Sequence, residues 1–248
     1  MSRLPAFLFI AFFSIANATA QPLSYVFQHV TTERGLSTGG VTAICQDRYG
    51  YIWLGANSGL NRYDGYGVKV FEHWYGDSTS VLPSQVRYLF SDSEGRLWVS
   101  FMHGLMEYDF VKNRFRQYAK HRISWVTEII ETAPQCLYLA TREGLAKLNT
   151  ATGSLSLLKA VNFPDSLSRH RVRKMVHYQN ELYLLWGPNL LAFDLKTEKF
   201  RPVVLPQNLS ANEINQLAIT EKGEVWMATG NAPDKIYRTD VRFKTLKI

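Results

Sequence analysis

Short apolar stretches, each closed by a polar or glycine-containing turn, run along most of the chain. From Val41 to Asp64 the sequence V-T-A-I-C-Q-D-R-Y-G-Y-I-W-L-G-A-N-S-G-L-N-R-Y-D divides into three strands. The first ends in a turn at Gly50, the second is centred on Trp53, and the third follows a turn at Asn57-Ser58-Gly59 and closes at Tyr63-Asp64. Runs this short, rich in β-branched and aromatic residues and bounded by turn residues, read as strands. The pattern returns from Val86 to Asp109, with Val, Asp, Gly, Trp, Gly-Leu and Tyr-Asp at the same offsets. One unit is being repeated.

Trp53, Trp98, Tyr138, Tyr183 and Trp226 mark the same place in successive units, at separations of 45, 40, 45 and 43 residues. A beat of about 40 to 45 residues with four strands per unit is the mark of propeller blades. A β-sandwich has no such beat, and a helical solenoid would show a 3.6-residue period. The sequence therefore predicts an all-β fold, a β-propeller of four-stranded antiparallel blades. Five blades are expected at about residues 41–75, 86–119, 126–159, 172–204 and 214–248. The turn Asp and Gly suit a tight hairpin, and the aromatic with its aliphatic neighbours suits a strand covered on both faces. Residues 25–31 alternate and read as a spare outer strand, and Val241 to Ile248 reads as the fourth strand of the last blade. Five blades plus one spare strand describe an open arc, with an exposed flank that is an aggregation hazard.

The first twenty residues stand apart. Met1-Ser2-Arg3 gives a positive start, Leu4 to Ala16 is almost wholly apolar, and Ala18-Thr19-Ala20 forms an A-x-A cleavage signal. This predicts a signal peptide over residues 1–20, cleaved after Ala20, and a periplasmic or secreted chain. Export makes nucleic acid an unsuitable partner despite the formal charge of +7. Cys45 and Cys136 sit at different places in their repeats, so they are read as small buried hydrophobes and not as a disulfide.

The repeat V-x-x-I-x-x-D-x-x-G-x-I-W-L-G-x-x-x-G-L-x-x-Y-D, with the leading F-Q-H-V-T-T-E-R-G-L-S, resembles the two-component regulator propeller family. The resemblance is sharp in units one and two, recognisable in three and five, and faint in four. It implies part of a seven-bladed propeller in the periplasmic sensor region of a bacterial hybrid two-component regulator. It further implies missing blades, a membrane anchor and a histidine kinase in a longer protein, of which this chain would be a fragment. An oligosaccharide-like ligand is the class the resemblance implies. A stand-alone secreted protein-interaction module is the alternative, with a homodimer among the expected partners, and a propeller lyase or quinoprotein-like enzyme is the third reading.

Within the repeat, the turns between second and third strands vary in residue type while their frames recur, which suits a recognition surface. Asn57, His103, Arg142, Glu143, Asn189 and Asn231 lie there and can hydrogen-bond sugar hydroxyls. Trp186, just before a turn, is a candidate stacking platform. Arg169 and Arg171 belong to the basic run Ser168 to Lys174, which suits a carboxylated or sulfated glycan. The competing reading of each is a solvated turn or a charged strand edge that discourages pairing. No nucleophile, metal-binding or nucleotide motif is present, so no catalytic residue, metal or cofactor is predicted.

Overall fold

The structure, a computed structural model, describes residues 27–118, 122–160, 170–206, 209–230 and 235–243. Its strands form five antiparallel sheets, each an up-and-down meander. Blade one is β1 (Val41–Gln46), β2 (Ile52–Ala56), β3 (Leu60–Tyr63) and β4 (Val68–Phe71). Blade two is β5 (Val86–Ser91), β6 (Leu97–Phe101), β7 (Gly104–Asp109) and β8 (Arg114–Tyr118). Blade three is β9 (Glu128–Ala133), β10 (Cys136–Thr141), β11 (Gly144–Asn149) and β12 (Ser154–Leu158). Blade four is β13 (Val172–Tyr178), β14 (Glu181–Trp186), β15 (Asn189–Asp194) and β16 (Lys199–Pro202). Blade five shows three strands among the described residues, β17 (Ile214–Ile219), β18 (Glu224–Thr229) and β19 (Ile236–Asp240).

The five marker aromatics hold equivalent places on the second strands. Each pairs inward with the first strand, at Cys45, Phe90, Ile130, Val176 and Ala218. The first strands of successive blades contact one another, so they form the inner edge of the arc. Four hydrophobic clusters fill the four gaps between blades. Burial of each large side chain in such a gap stabilises by about 1.5–3 kcal/mol. In the first gap Trp53 meets Tyr108 edge to face, ring centroids 5.0 Å apart. Gly55 explains how closely blades approach there: a Cβ at this position would lie 2.4 Å from Val86 Cγ1.

The repeated Asp fastens more than a turn. The Asp47 carboxylate accepts the Tyr49 and Tyr51 backbone N–H groups at 2.8 and 3.0 Å, and the Trp53 indole N–H at 2.6 Å. Asp92 does the same for Glu94, Arg96 and the Trp98 indole, the last at 2.9 Å. The six-residue spacing thus carries the hairpin and the buried ring nitrogen on one side chain. Blades three and four use Tyr instead, and Tyr183 gives its hydroxyl proton to Glu181 at 2.8 Å. In blade five Thr220 takes the Asp place and accepts only the Glu224 N–H.

Two expectations at the chain ends are corrected. Residues 27–31 form no strand, and the chain passes into a 3-10 turn at Thr32–Arg34 closed by Gly35 at φ 102°. A lone segment becomes a strand only beside an unpaired edge, and this one instead lays Ser37 against blade one, where Ser37 N–H and Oγ bond the Asn61 side chain. Residues 25 and 26 lie outside the described residues. Val241 and Arg242 form a turn, not a strand, because Asp240 draws back the Arg242 and Phe243 N–H groups. Residues 244–248 lie outside the described residues, as do residues 1–20. Cys45 and Cys136 are unpaired and half-buried, and burial pushes the Cys45 thiol up. Among the described residues no helix is long and apolar enough to cross a membrane.

Candidate functional site

The meander places the turns between second and third strands at the same end of each blade as the segments that join blades. At this end four first strands carry an irregularity at their second residue. The register shifts at Thr42, Arg87, Arg173 and Asn215. A β-bulge takes a residue out of the ladder and re-aims its side chain. Thr42 Oγ1 then donates to the Val86 carbonyl of the next blade at 2.7 Å, and Arg173 Nη1 to the Ile214 carbonyl at 2.9 Å. In blade three Thr127, just ahead of β9, makes the matching bond to Val172 O at 3.0 Å. Arg87 departs from this pattern: its Nη1 turns to Gln85 Oε1 at 2.9 Å, and Gln85 reaches Asn57.

Beside Arg87 lies Trp125, in the segment joining blades two and three. Its backbone has φ 49°, a left-handed conformation that bulky residues rarely adopt. Trp125 N–H donates to Met102 O at 3.0 Å, while Ser124 O accepts the Arg142 N–H at 3.1 Å. Both carboxylate oxygens of Glu143 are held by Ser124, by its N–H at 2.9 Å and its hydroxyl at 2.6 Å. These bonds tie the joining segment to two neighbouring turns and impose the strained backbone. Its consequence is a rigid indole at the inner mouth, with the Arg87 guanidinium 4.7 Å and the Arg171 guanidinium 5.4 Å from its ring centroid. The indole nitrogen is buried and has no hydrogen-bond partner among the described residues. At Arg173, two residues on from Arg171, burial and then the like charge of Arg171 lower the guanidinium pKa.

The residues expected from sequence fall into distinct groups. Arg171 is exposed and belongs to the Trp125 cluster. Glu143 and Arg142 buttress that cluster through Ser124, the former by its side chain and the latter by its backbone. Asn57 joins it through Gln85 and also lines a groove of about 510 Å³ between Leu36, His73 and Pro83. His103 is exposed on the blade-two turn, and Asn189 begins β15 opposite Trp186. Arg169 and Asn231 lie outside the described residues. Trp186 is a core residue, not an open platform: it is 3% exposed, its indole N–H donates to His170 O at 2.7 Å, and its ring fills the space a Cβ on Gly144 would enter.

Repeated blades and an inner edge of first strands define a β-propeller. The family described as two component regulator propeller matches residues 35–58. The chain is 37% identical over 82 residues to histidine kinase P4 of Formosa agariphila, a stretch covering 33% of this chain and 6% of that protein. Its fold is similar to the extracellular domain of a putative hybrid two-component system, BT3049 of B. thetaiotaomicron. The TM-score is 0.72 at 20% identity, over 89% of this chain and 31% of that one. A virginiamycin B lyase of Staphylococcus aureus shares the fold at TM-score 0.59 and 12% identity, over 82% of this chain and 70% of that one. The chain thus spans about a third of the solved extracellular domain and a small part of the kinase. These likenesses show the β-propeller fold of the chain.

Proposed function

We propose that this propeller is the ligand-sensing element of a periplasmic or secreted region in a longer hybrid two-component regulator. It acts without catalysis and recognises an oligosaccharide at the inner mouth. Further blades, a membrane anchor and a kinase belong to the same proposal. The observation that carries the reading is Trp125, an aromatic ring held in a strained backbone conformation by bonds from two blade turns. Strain of this kind costs about 1–3 kcal/mol and persists where the surroundings over-determine it. A pyranose has an apolar face that stacks on such a ring, and its hydroxyls suit the amide and guanidinium groups beside it. The chemistry expected of a lyase has no support from Glu143, whose carboxylate is committed to Ser124.

The test is calorimetric titration of the 248-residue chain with a panel of neutral and acidic tetrasaccharides, with mass spectrometry of each mixture after the run. Binding of at least one saccharide, lost on Trp125→Ala, with the sugar recovered intact, supports the proposal. Absence of binding across the panel, or appearance of cleaved product, overturns it.

A further inference from the structure

Among the described residues the arginines of the mouth, Arg87, Arg171 and Arg173, form no ion pair with a carboxylate. Arg87 and Arg171 stand over Trp125, and Arg173 is close enough to Arg171 to feel its charge. Elsewhere the same blades pair their charges across the gaps, as Lys174 does with Glu128 at 2.7 Å and Lys147 with Glu198 at 2.6 Å. Two acids of the neighbouring segments accept hydrogen bonds elsewhere. Glu143 accepts from Ser124, and Glu213 accepts the Ser210 N–H at 3.1 Å in a capping box. Arg173 is held by carbonyls alone, those of Ile214, Gly187 and Ala211. Such bonds satisfy its N–H groups and leave its charge unbalanced. Alongside these stands the buried indole N–H of Trp125, with no acceptor among the described residues, a donor whose burial unmade is costly.

On these observations we infer that the ligand of this mouth is an anionic saccharide, its carboxylate or sulfate received by Arg87 and Arg171 while a sugar ring lies on Trp125. The inference rests on the oligosaccharide reading above and narrows it to one charge class. Planar guanidinium forks match carboxylate and sulfate oxygens in pairs. A guanidinium stacked on an indole is held in place before the anion arrives. Arg173 adds its charge beside Arg171 and does not touch the ligand, since its donors are already engaged.

The experiment titrates the full 248-residue chain with four probes at low and at high ionic strength: a tetragalacturonate, a sulfated neutral tetrasaccharide, maltotetraose and sodium sulfate. The expected result is binding of one or both acidic tetrasaccharides, weakened about tenfold by Arg171→Ala and again by Arg87→Ala, and weakened by salt. Trp125→Phe, which keeps a ring and removes the N–H, weakens binding as well. Arg171 is exposed, so its replacement leaves the melting temperature unchanged and the affinity loss reads the site alone. The carboxylated and sulfated arms tell the two anion sources apart. Equal affinity for maltotetraose, or acidic binding indifferent to Arg171→Ala, overturns the anionic inference and leaves the oligosaccharide reading standing. Sodium sulfate binding as tightly as the tetrasaccharides overturns the saccharide part. No binding by any saccharide overturns both.

Discussion

At the scale of single residues, the aspartate six positions ahead of the marker Trp ties a hairpin to a core. In blade one the Asp47 carboxylate satisfies two backbone N–H groups and the indole N–H of Trp53, a ring with no exposed surface. Removing the carboxylate leaves three donors unpaired in or next to the core. An unmade buried bond costs about 1–3 kcal/mol, so Asp47→Ala is expected to lose at least that much in urea unfolding. Trp53→Phe removes the indole donor along with some packing. In the double variant the two losses are expected to fall short of their sum, because the shared bond is counted once. Thr220 occupies the Asp position of blade five but makes one exposed bond, so Thr220→Ala costs less than about 1 kcal/mol. Full additivity of the Asp47 and Trp53 losses would refute the coupling.

At the scale of the element, the turn that follows each third strand carries the second recurring device. Asp64, Asp109, Asp194 and Asp240, and Asn149 in blade three, bend back to accept backbone N–H groups of their own turn. These bonds favour the ionised form, and they hold the Asp64, Asp109 and Asp194 carboxyls below the ordinary aspartate range. A folded value below the unfolded one gives stability that is complete above the unfolded value, about 4, and that drains away as pH falls through the folded value. The melting temperature is therefore expected to hold near neutrality and drop below about pH 4. The triple variant Asp64→Asn, Asp109→Asn, Asp194→Asn, built on the pattern of Asn149, is expected to drop less over the same window. An identical acid limb in the variant would show that these turns carry none of it. Such elements were readable in the sequence because each turn and each marker aromatic is fixed by short-range chemistry at constant spacing. The mouth was not. Trp125 lies in a joining segment with no counterpart in other units, and Arg87 and Arg173 look like ordinary strand residues until a bulge turns them out of the ladder. Arg171 signalled the site through its basic run, and Asn57, Arg142 and Glu143 signalled only its supports, through the variable turns. Trp186 misled because nearness to a turn says nothing about which face a ring covers, and the space beside Gly144 that draws it inward belongs to another blade.

Across the whole molecule the unequal burial of the five marker aromatics has a single cause. Four of them, Trp53, Trp98, Tyr138 and Tyr183, are at most 2% exposed because a following blade covers them, whereas Trp226 is 39% exposed. Ile236 beside it is 61% exposed, and on the opposite flank Ile44 of blade one is 68% exposed even though the Ser37 segment covers Asn61. One flank thus carries the face that blades turn toward their successor, and the other the face they turn toward their predecessor. Two copies of the 248-residue chain can bury both by stacking the fifth blade of one on the first blade of the next. Such a contact is head-to-tail and propagates unless its rotation closes a ring, whereas a homodimer would use one patch twice. The two are separable by sedimentation. Ile44→Glu and Trp226→Glu each spoil one flank, so under head-to-tail stacking either variant alone stays monomeric as concentration rises. An equimolar mixture then forms dimers and nothing larger, since each pair has one intact junction and two blocked ends. In a two-fold dimer through either flank, one of the variants would still dimerise alone, and that result would rule out head-to-tail stacking.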